Sequence, residues 1–363
     1  MAGRKKKTAG RMPLWLYVLI VAVIALVTYF RTSGEAEAGD PQPPAASAAA
    51  QQTPADETLT VRFLDVGQGD SILLACGDET MLIDGGPVEE GQFLVSRLNR
   101  LDVTELTYVI NTHPDEDHCG GLAAVLAKYP AEHVYSSVTE YTTKVFSNVV
   151  KYADEQGHPV EVPQTGDSWT LGSASVQIIG PVQTYSDPNN GSLVLRVDYG
   201  GTSFLFTGDM EQKAEADLMA SGANVRADVL KVGHHGSPTS SSEAFLEAVA
   251  PSIAVISVGK DNDYGHPGAD VLARLEALGT TIYRTDTQGE IIITSDGQTL
   301  TVTTDPTSRE PAAGKDAPFI GNRNSMVVHS ANCAKLPGED NRVYFNTAEE
   351  AEEYGYQKHT CIK

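Results

Sequence analysis

Residues 111–122, NTHPDEDHCGGL, place His113, Asp115, Asp117 and His118 within six positions, with Cys119 and a glycine pair behind them. Imidazole nitrogens and carboxylate oxygens at this density suit zinc, manganese or iron. In the alternation His-x-Asp-x-Asp-His the side chains must point to two sides. That suits a two-metal centre, which activates water and stabilises an oxygen leaving group. Taken alone, the same stretch also suits a solvated helix start, with acids at the positive end of the helix dipole.

The rest of the chain favours the metal reading, because polar residues recur wherever a strand-like run ends. Asp84 ends MLIDGG, Asp209 ends SFLFTGD, His234 and His235 end VLKVGHHGS, and His266 follows IAVISVG after a short loop. Individually each has an ordinary explanation: a turn for Asp84 and His266, and a helix cap for Asp209 before MEQKAEADLMA. Together they describe rigid strands whose trailing loops converge on one edge. The positioning elements are short strand-like runs, from LTVRFLDV to EIIITS, with helix-like segments over 91–100, 120–129, 210–221, 242–250 and 268–278. That mixture predicts an α/β (α+β) class, with mixed sheets covered by helices.

Seven motifs in order carry a resemblance: FLDVGQGDSILL, MLIDGG, NTHPDEDHCGGL, NNGSLVLRVDYG, FLFTGDME, VLKVGHHGSPTSS and VISVGKDNDYGHP. Over residues 58–304 the chain resembles the metallo-β-lactamase superfamily, and within it the C-terminal domain of ComEC-type competence proteins. The resemblance implies an αββα sandwich. It implies that Asp84 shapes the ligand loops, that His113 and Asp115 form a first metal position, and that Asp117 and His118 form a second. Asp209 would bridge the two. One late histidine completes the set, with His234 and His266 ranked above His235. Gln68 and Asp70 would line the site, and Lys231 and Ser237 could contact a substrate anion or be an ordinary surface lysine and turn serine.

Two departures from the wider superfamily stand out. Asp115 replaces the second histidine of His-x-His-x-Asp-His, and DPNNGS at 187–192 stands where a further histidine is usual, so that Asn190 or Ser192 would face the metal. Both changes occur in the competence-type branch. They exchange nitrogen for oxygen and shift the expected cofactor toward Mn²⁺ or mixed occupancy beside Zn²⁺, as one or two ions. The implied activity is metal-dependent hydrolysis, with Asp117 or Asp209 orienting water and taking its proton, on DNA or another phosphodiester. The alternatives are a hydrolase of small esters or lactams, and a non-catalytic binding component of a DNA-uptake or envelope assembly.

The chain carries 26 Lys and Arg against 48 Asp and Glu, a formal charge of −22. Such a charge opposes generic binding to nucleic acid or anionic lipid, although a metal reverses the field locally. Residues 1–13 are basic, and 14–30 form an uncharged apolar run. As a helix that run spans about 26 Å, enough for a bilayer core. The basic flank predicts a single-pass cell-membrane anchor with a cytoplasmic N-terminus and an extracellular catalytic domain. A cleaved signal peptide, giving a secreted protein, is the competing reading. Residues 31–57 read as a flexible linker reaching roughly 30 Å.

A second linker is expected at 305–317, and a small unit at 318–363. So short a unit needs a metal or a disulfide. IGNRNS, HSANC, NRVYF and AEEAEEYGY resemble the small metal-binding domain related to the N-terminal part of the Ada DNA-repair protein. The resemblance implies a structural Zn²⁺ on His329, Cys333, His359 and Cys361, with a Cys333–Cys361 disulfide as the alternative. The ending His359-Thr-Cys361 departs from the family's usual Cys-x-x-Cys, which puts the fourth ligand in question. Cys76 and Cys119 read as buried packing residues.

Overall fold

The computed structural model describes residues 57–309 and 313–362. The basic segment, the apolar run 14–30 and all but the last residue of the first linker lie outside the described residues. Among the described residues no helix is long and apolar enough to cross a membrane.

The chain enters through β1 (Leu59–Phe63), β2 (Ile72–Cys76) and β3 (Glu79–Ile83), then α1 (Gly91–Arg100) and β4 (Leu106–Asn111). Two short helices, α2 (Glu116–Cys119) and α3 (Leu122–Leu126), lead to β5 (Ala131–Ser136) and α4 (Lys144–Gln156). A second half begins with β6 (Ser168–Leu171), β7 (Ala174–Gly180), β8 (Val194–Tyr199) and β9 (Thr202–Phe206). It continues through α5 (Gln212–Ala220), β10 (Val229–Lys231), α6 (Glu243–Val249), β11 (Ile253–Ile256), α7 (Ala269–Ala277) and β12 (Thr281–Arg284). A turn of helix, α8 (Thr285–Gln288), then returns the chain to the first sheet as β13 (Glu290–Ser295) and β14 (Leu300–Asp305).

The strands form two seven-stranded sheets, ordered β14-β13-β1-β2-β3-β4-β5 and β12-β11-β10-β9-β8-β7-β6. Each is mixed: β3, β4 and β5 run parallel in one, and β9 to β12 run parallel in the other. Three apolar layers result. Leu59, Val61 and Phe63 face Phe204 and Phe206 between the sheets. Leu94, Leu98, Leu122 and Phe146 cover the first sheet, while Leu218, Phe245 and Leu275 cover the second. The αββα sandwich expected from the sequence is the observed architecture.

Sequence periodicity did not reveal α4. It is not among the helix-like segments read from the sequence, yet Phe146, Val149 and Ala153 share one buried face. The Thr143 side chain accepts the Phe146 amide at its start, and Gly157, at φ 82°, ends it. The helix expected over 120–129 shrinks to α3, because Gly121 meets the Gly85 backbone there. A Cβ on Gly121 would lie 2.1 Å from the Gly85 carbonyl oxygen.

Beyond β14, the first linker residues stay with the body. Arg309 donates to the Asp65 carbonyl at 2.7 Å and to Glu90 at 2.6 Å. The small C-terminal unit is a four-stranded sheet, β17-β15-β16-β18, of β15 (Phe319–Asn322), β16 (Val327–Ser330), β17 (Arg342–Phe345) and β18 (Gln357–Lys358). Helix α9 (Ala348–Glu353) closes a core of Val328, Val343, Phe345, Ala351 and Tyr356. It docks on α1, where Ser96 donates to the Glu353 carbonyl and the Arg100 guanidinium lies 3.7 Å from the Tyr354 ring centre.

Candidate metal centre

The parallel strands of both sheets end at one edge, and their trailing loops hold the polar residues there, as open α/β sheets commonly do. Asp84 follows β3 with φ 59°. Its carboxylate accepts the Thr112 amide and hydroxyl, both at 2.7 Å, and His118 Nδ1 at 2.8 Å. It therefore fixes the THPDEDH loop and leaves His118 Nε2 pointing into the cleft.

His234 and His235 both sit in the left-handed backbone region, at φ 50° and 53°. Residues of this size rarely adopt it, and such positions cluster at functional sites. The turn reverses the expected ranking of the late histidines. Buried His235 donates Nδ1 to the Ser257 carbonyl at 2.9 Å and aims Nε2 at the cleft. His234 takes the rim, with Nε2 3.6 Å from Asp209 and Nδ1 3.5 Å from Glu211. His266 stands behind it, its ring 5.7 Å from that of His234 and stacked on Tyr264.

Asp117, His118, Asp209 and His235 each offer a ligand atom within 4.8 Å of the others. His118 Nε2 lies 3.2 Å from Asp209 and 3.3 Å from His235 Nε2, which in turn lies 3.3 Å from Asp117. On the other side of Asp209, His113 Nε2 stands 3.9 Å from its second oxygen and 3.8 Å from Asp115. His113, Asp115 and His234 thus form a looser group around the same carboxylate.

These residues fit a divalent cation. Both histidines spend Nδ1–H on acceptors, so in the neutral rings the two Nε2 lone pairs meet two carboxylates with no donor among the four. His113 Nε2 and Asp209 Oδ1 are buried without a hydrogen-bond partner. Burial opposes charging His118 and His235, yet Asp209 leads the neighbours that raise His118 well above the usual imidazole value and His235 to about 10. Burial likewise disfavours the carboxylates, but His118 leads the partners that hold Asp117 near about 2 and Asp209 well below the usual range. The pocket demands positive charge. Burial and His118 depress His113 to about 3, which keeps its ring neutral and ready as a ligand.

The remaining sequence-selected residues take other places. Lys231 cannot meet a substrate anion, and it is no surface lysine either. It is 1% exposed, with Nζ 2.7 Å from Asp70 and 2.9 Å from the Val232 carbonyl. Burial opposes ionising Asp70, but Lys231 and His235 hold its carboxyl well below the usual value. Asp70 in turn lies 3.4 Å from His235 Nδ1, behind the cluster. Ser237 is buried against the Thr239 hydroxyl and accepts the Thr239 amide, as a turn serine does. Gln68 accepts the Gly259 amide, joining two loops of the rim. Asn190 turns to Glu211 and the Ala214 amide, whereas Ser192 accepts the Asp209 backbone amide and so fixes the backbone that carries that carboxylate. Cys119 packs against the Pro114 carbonyl, and burial pushes its thiol up to about 12. Cys76 is buried as well.

In the C-terminal unit, His329, Cys333, His359 and Cys361 offer ligand atoms within 4.8 Å of one another. Both thiols are free. Cys333 Sγ lies 3.7 Å from His359 Nδ1, and His329 Nδ1 is buried without a partner.

Residues 64–260 match the family described as the metallo-beta-lactamase superfamily. Over 250 residues the chain is 32% identical to ComE operon protein 3 of Bacillus subtilis, covering 64% of this chain and 32% of that protein. It is 35% identical over 239 residues to competence protein ComA of Neisseria gonorrhoeae, covering 65% and 32%. The chain thus spans about a third of the length of these curated relatives. The metallo-beta-lactamase fold protein YhfI from Bacillus subtilis aligns with a TM-score of 0.43 at 11% identity, over 68% of this chain and 100% of that one.

Proposed function

The chain belongs to the metallo-beta-lactamase superfamily, and from that footing we propose that it is a membrane-anchored, extracellular metal-dependent phosphodiesterase acting on DNA. The observation that carries the hydrolytic reading is the convergence of Asp117, His118, Asp209 and His235, whose ligand atoms lie within 4.8 Å of one another. Two nitrogens and two oxygens suit Zn²⁺ or Mn²⁺. The competence-protein relatives and Asp115 support the nucleic-acid substrate. The basic flank and apolar run at the N-terminus support the anchor.

A divalent ion held there would polarise a phosphoryl oxygen and lower the pKa of water. The chain's own residues do the rest. Asp84 and the Ser257 carbonyl lock the rings of His118 and His235. Asp209, its backbone amide held by Ser192, faces both groups of ligands. The Asp117 side chain keeps 34% of its exposure, so it reaches solvent, orients the attacking water and accepts its proton. The water oxygen bonds to phosphorus, the bond to the leaving oxygen breaks, and the proton ends on that oxygen.

The C-terminal cluster supports a second reading for that unit, a structural Cys₂His₂ zinc site of the Ada-like kind. The free thiols and the unpartnered His329 nitrogen favour zinc over the disulfide.

The test uses the full chain in detergent, stripped of metal and reloaded with Mn²⁺ or Zn²⁺. Plasmid DNA, single-stranded DNA, a small phosphodiester and a lactam are offered. Metal-dependent cleavage of the phosphodiesters, lost in His118→Ala, is the expected result. Turnover of the lactam alone, or none with metal bound, would overturn the assignment.

A further inference from the structure

A cavity of about 470 Å³ opens beside the metal centre. Pro114, between the ligands His113 and Asp115, forms part of its wall, and so does the loop from Asp187 that leads to Ser192, which accepts the Asp209 amide. The cavity therefore borders the loops that carry these ligands. Val138, Tyr141, Val162 and Tyr185 supply apolar surface, and no lysine or arginine lines it. Its one charged group is Asp187, whose carboxylate accepts the Asn189 amide.

Tyr141 is 36% exposed and Val162 48%, two of five large hydrophobics exposed to this degree among the described residues. Both present apolar surface against which a flat apolar group can pack. A second hollow, which includes the ligand Asp117, differs. Glu89, Glu90, Glu116 and Asp117 line it together with Tyr264. A polyanion is repelled from that side. It is not repelled from the neutral cavity, but it finds no phosphate partner there either. What such a cavity takes from a nucleotide is the uncharged, flat part, which stacks on tyrosine.

We propose that this cavity is the subsite for an unpaired base adjoining the scissile phosphodiester. The proposal rests on the phosphodiesterase reading and narrows its substrate to single strands or splayed ends. A base paired within a duplex cannot leave the stack to enter a side cavity without the cost of unpairing. Tyr141 and Tyr185 provide the rings, with Lys213 Nζ 4.6 Å from the Tyr185 ring centre, and Val138 and Val162 add apolar surface.

The full chain, loaded with Mn²⁺, would be given a thymidine dinucleotide and its two analogues that each lack one base. The ratio of kcat/KM for the dinucleotide to that for the better abasic analogue is the readout. Tyr141→Ala is expected to lower the ratio about tenfold, the scale of one stacked base, while Tyr141→Phe keeps it. A wild-type ratio near one, or a ratio unmoved by Tyr141→Ala, overturns the subsite and leaves the hydrolase intact. If no phosphodiester is cleaved, the function assigned above fails instead. Binding of a fluorescent single strand then decides the cavity, and binding that Tyr141→Ala does not weaken overturns it.

Discussion

The two ligand clusters of this chain are built in opposite ways. The cleft draws Asp117, His118, Asp209 and His235 from three loops at the ends of two sheets, and each ring nitrogen that faces away has its own acceptor. The C-terminal cluster draws His329, Cys333, His359 and Cys361 from one short stretch, half-exposed, over a core of five buried apolar side chains. The first cluster is a product of its fold. The second cluster has so little core beneath it that its fold is a product of whatever joins the ligands. A metal should therefore be optional for structure in one place and essential in the other.

The largest effect tests this directly. Chelation should unfold the C-terminal unit and leave the sandwich folded, since structural zinc contributes about 10–16 kcal/mol in small finger peptides. Limited proteolysis after EDTA should cut beyond residue 318 first. Cys333→Ser should reproduce that cut without chelator, and survival of the unit in both experiments would erase the contrast. On the cleft side, Asp209→Asn should abolish turnover while the thermal transition of the sandwich persists, read by calorimetry. Next comes Lys231→Met, which leaves buried Asp70 without its counter-charge. We expect a loss of about 3–5 kcal/mol, read from the urea midpoint. Smaller again, Asp84→Asn should weaken metal affinity about 10–100-fold by freeing the His118 ring, measured by competition with a chelator. The smallest is Ser96→Ala at the docking face, about 1 kcal/mol on the stability of the C-terminal unit alone.

Sequence alone revealed mixed sheets covered by helices because that signal is repeated: apolar alternation in many strands, with polar residues where strands end; the sandwich itself came from the resemblance carried by seven motifs. The THPDEDH loop was legible for the same reason, as a local pattern whose spacing survives folding. The histidine order was not. Which of His234, His235 and His266 turns inward depends on two backbone angles in a left-handed turn, and residue type does not encode those angles. Lys231 escaped because a lysine in a three-residue strand looks the same whether it faces water or a buried carboxylate. Helix α4 escaped because its β-branched residues mask a helical period. Asn190 illustrates a different limit. The resemblance implied that Asn190 or Ser192 would face the metal, but the Asn190 amide finds its partners in Glu211 and α5.

The docking of α9 on α1 has a kinetic consequence. The contact includes a hydrogen bond from Ser96 and a guanidinium over a ring, set on the outer side of a helix whose inner side, Leu94 and Leu98, belongs to the sandwich. Releasing α9 costs the sandwich none of its buried layers. The C-terminal unit can therefore open and close as a cooperative unit of its own, and amide exchange would record two protection classes in one chain, the lower one beginning after the linker.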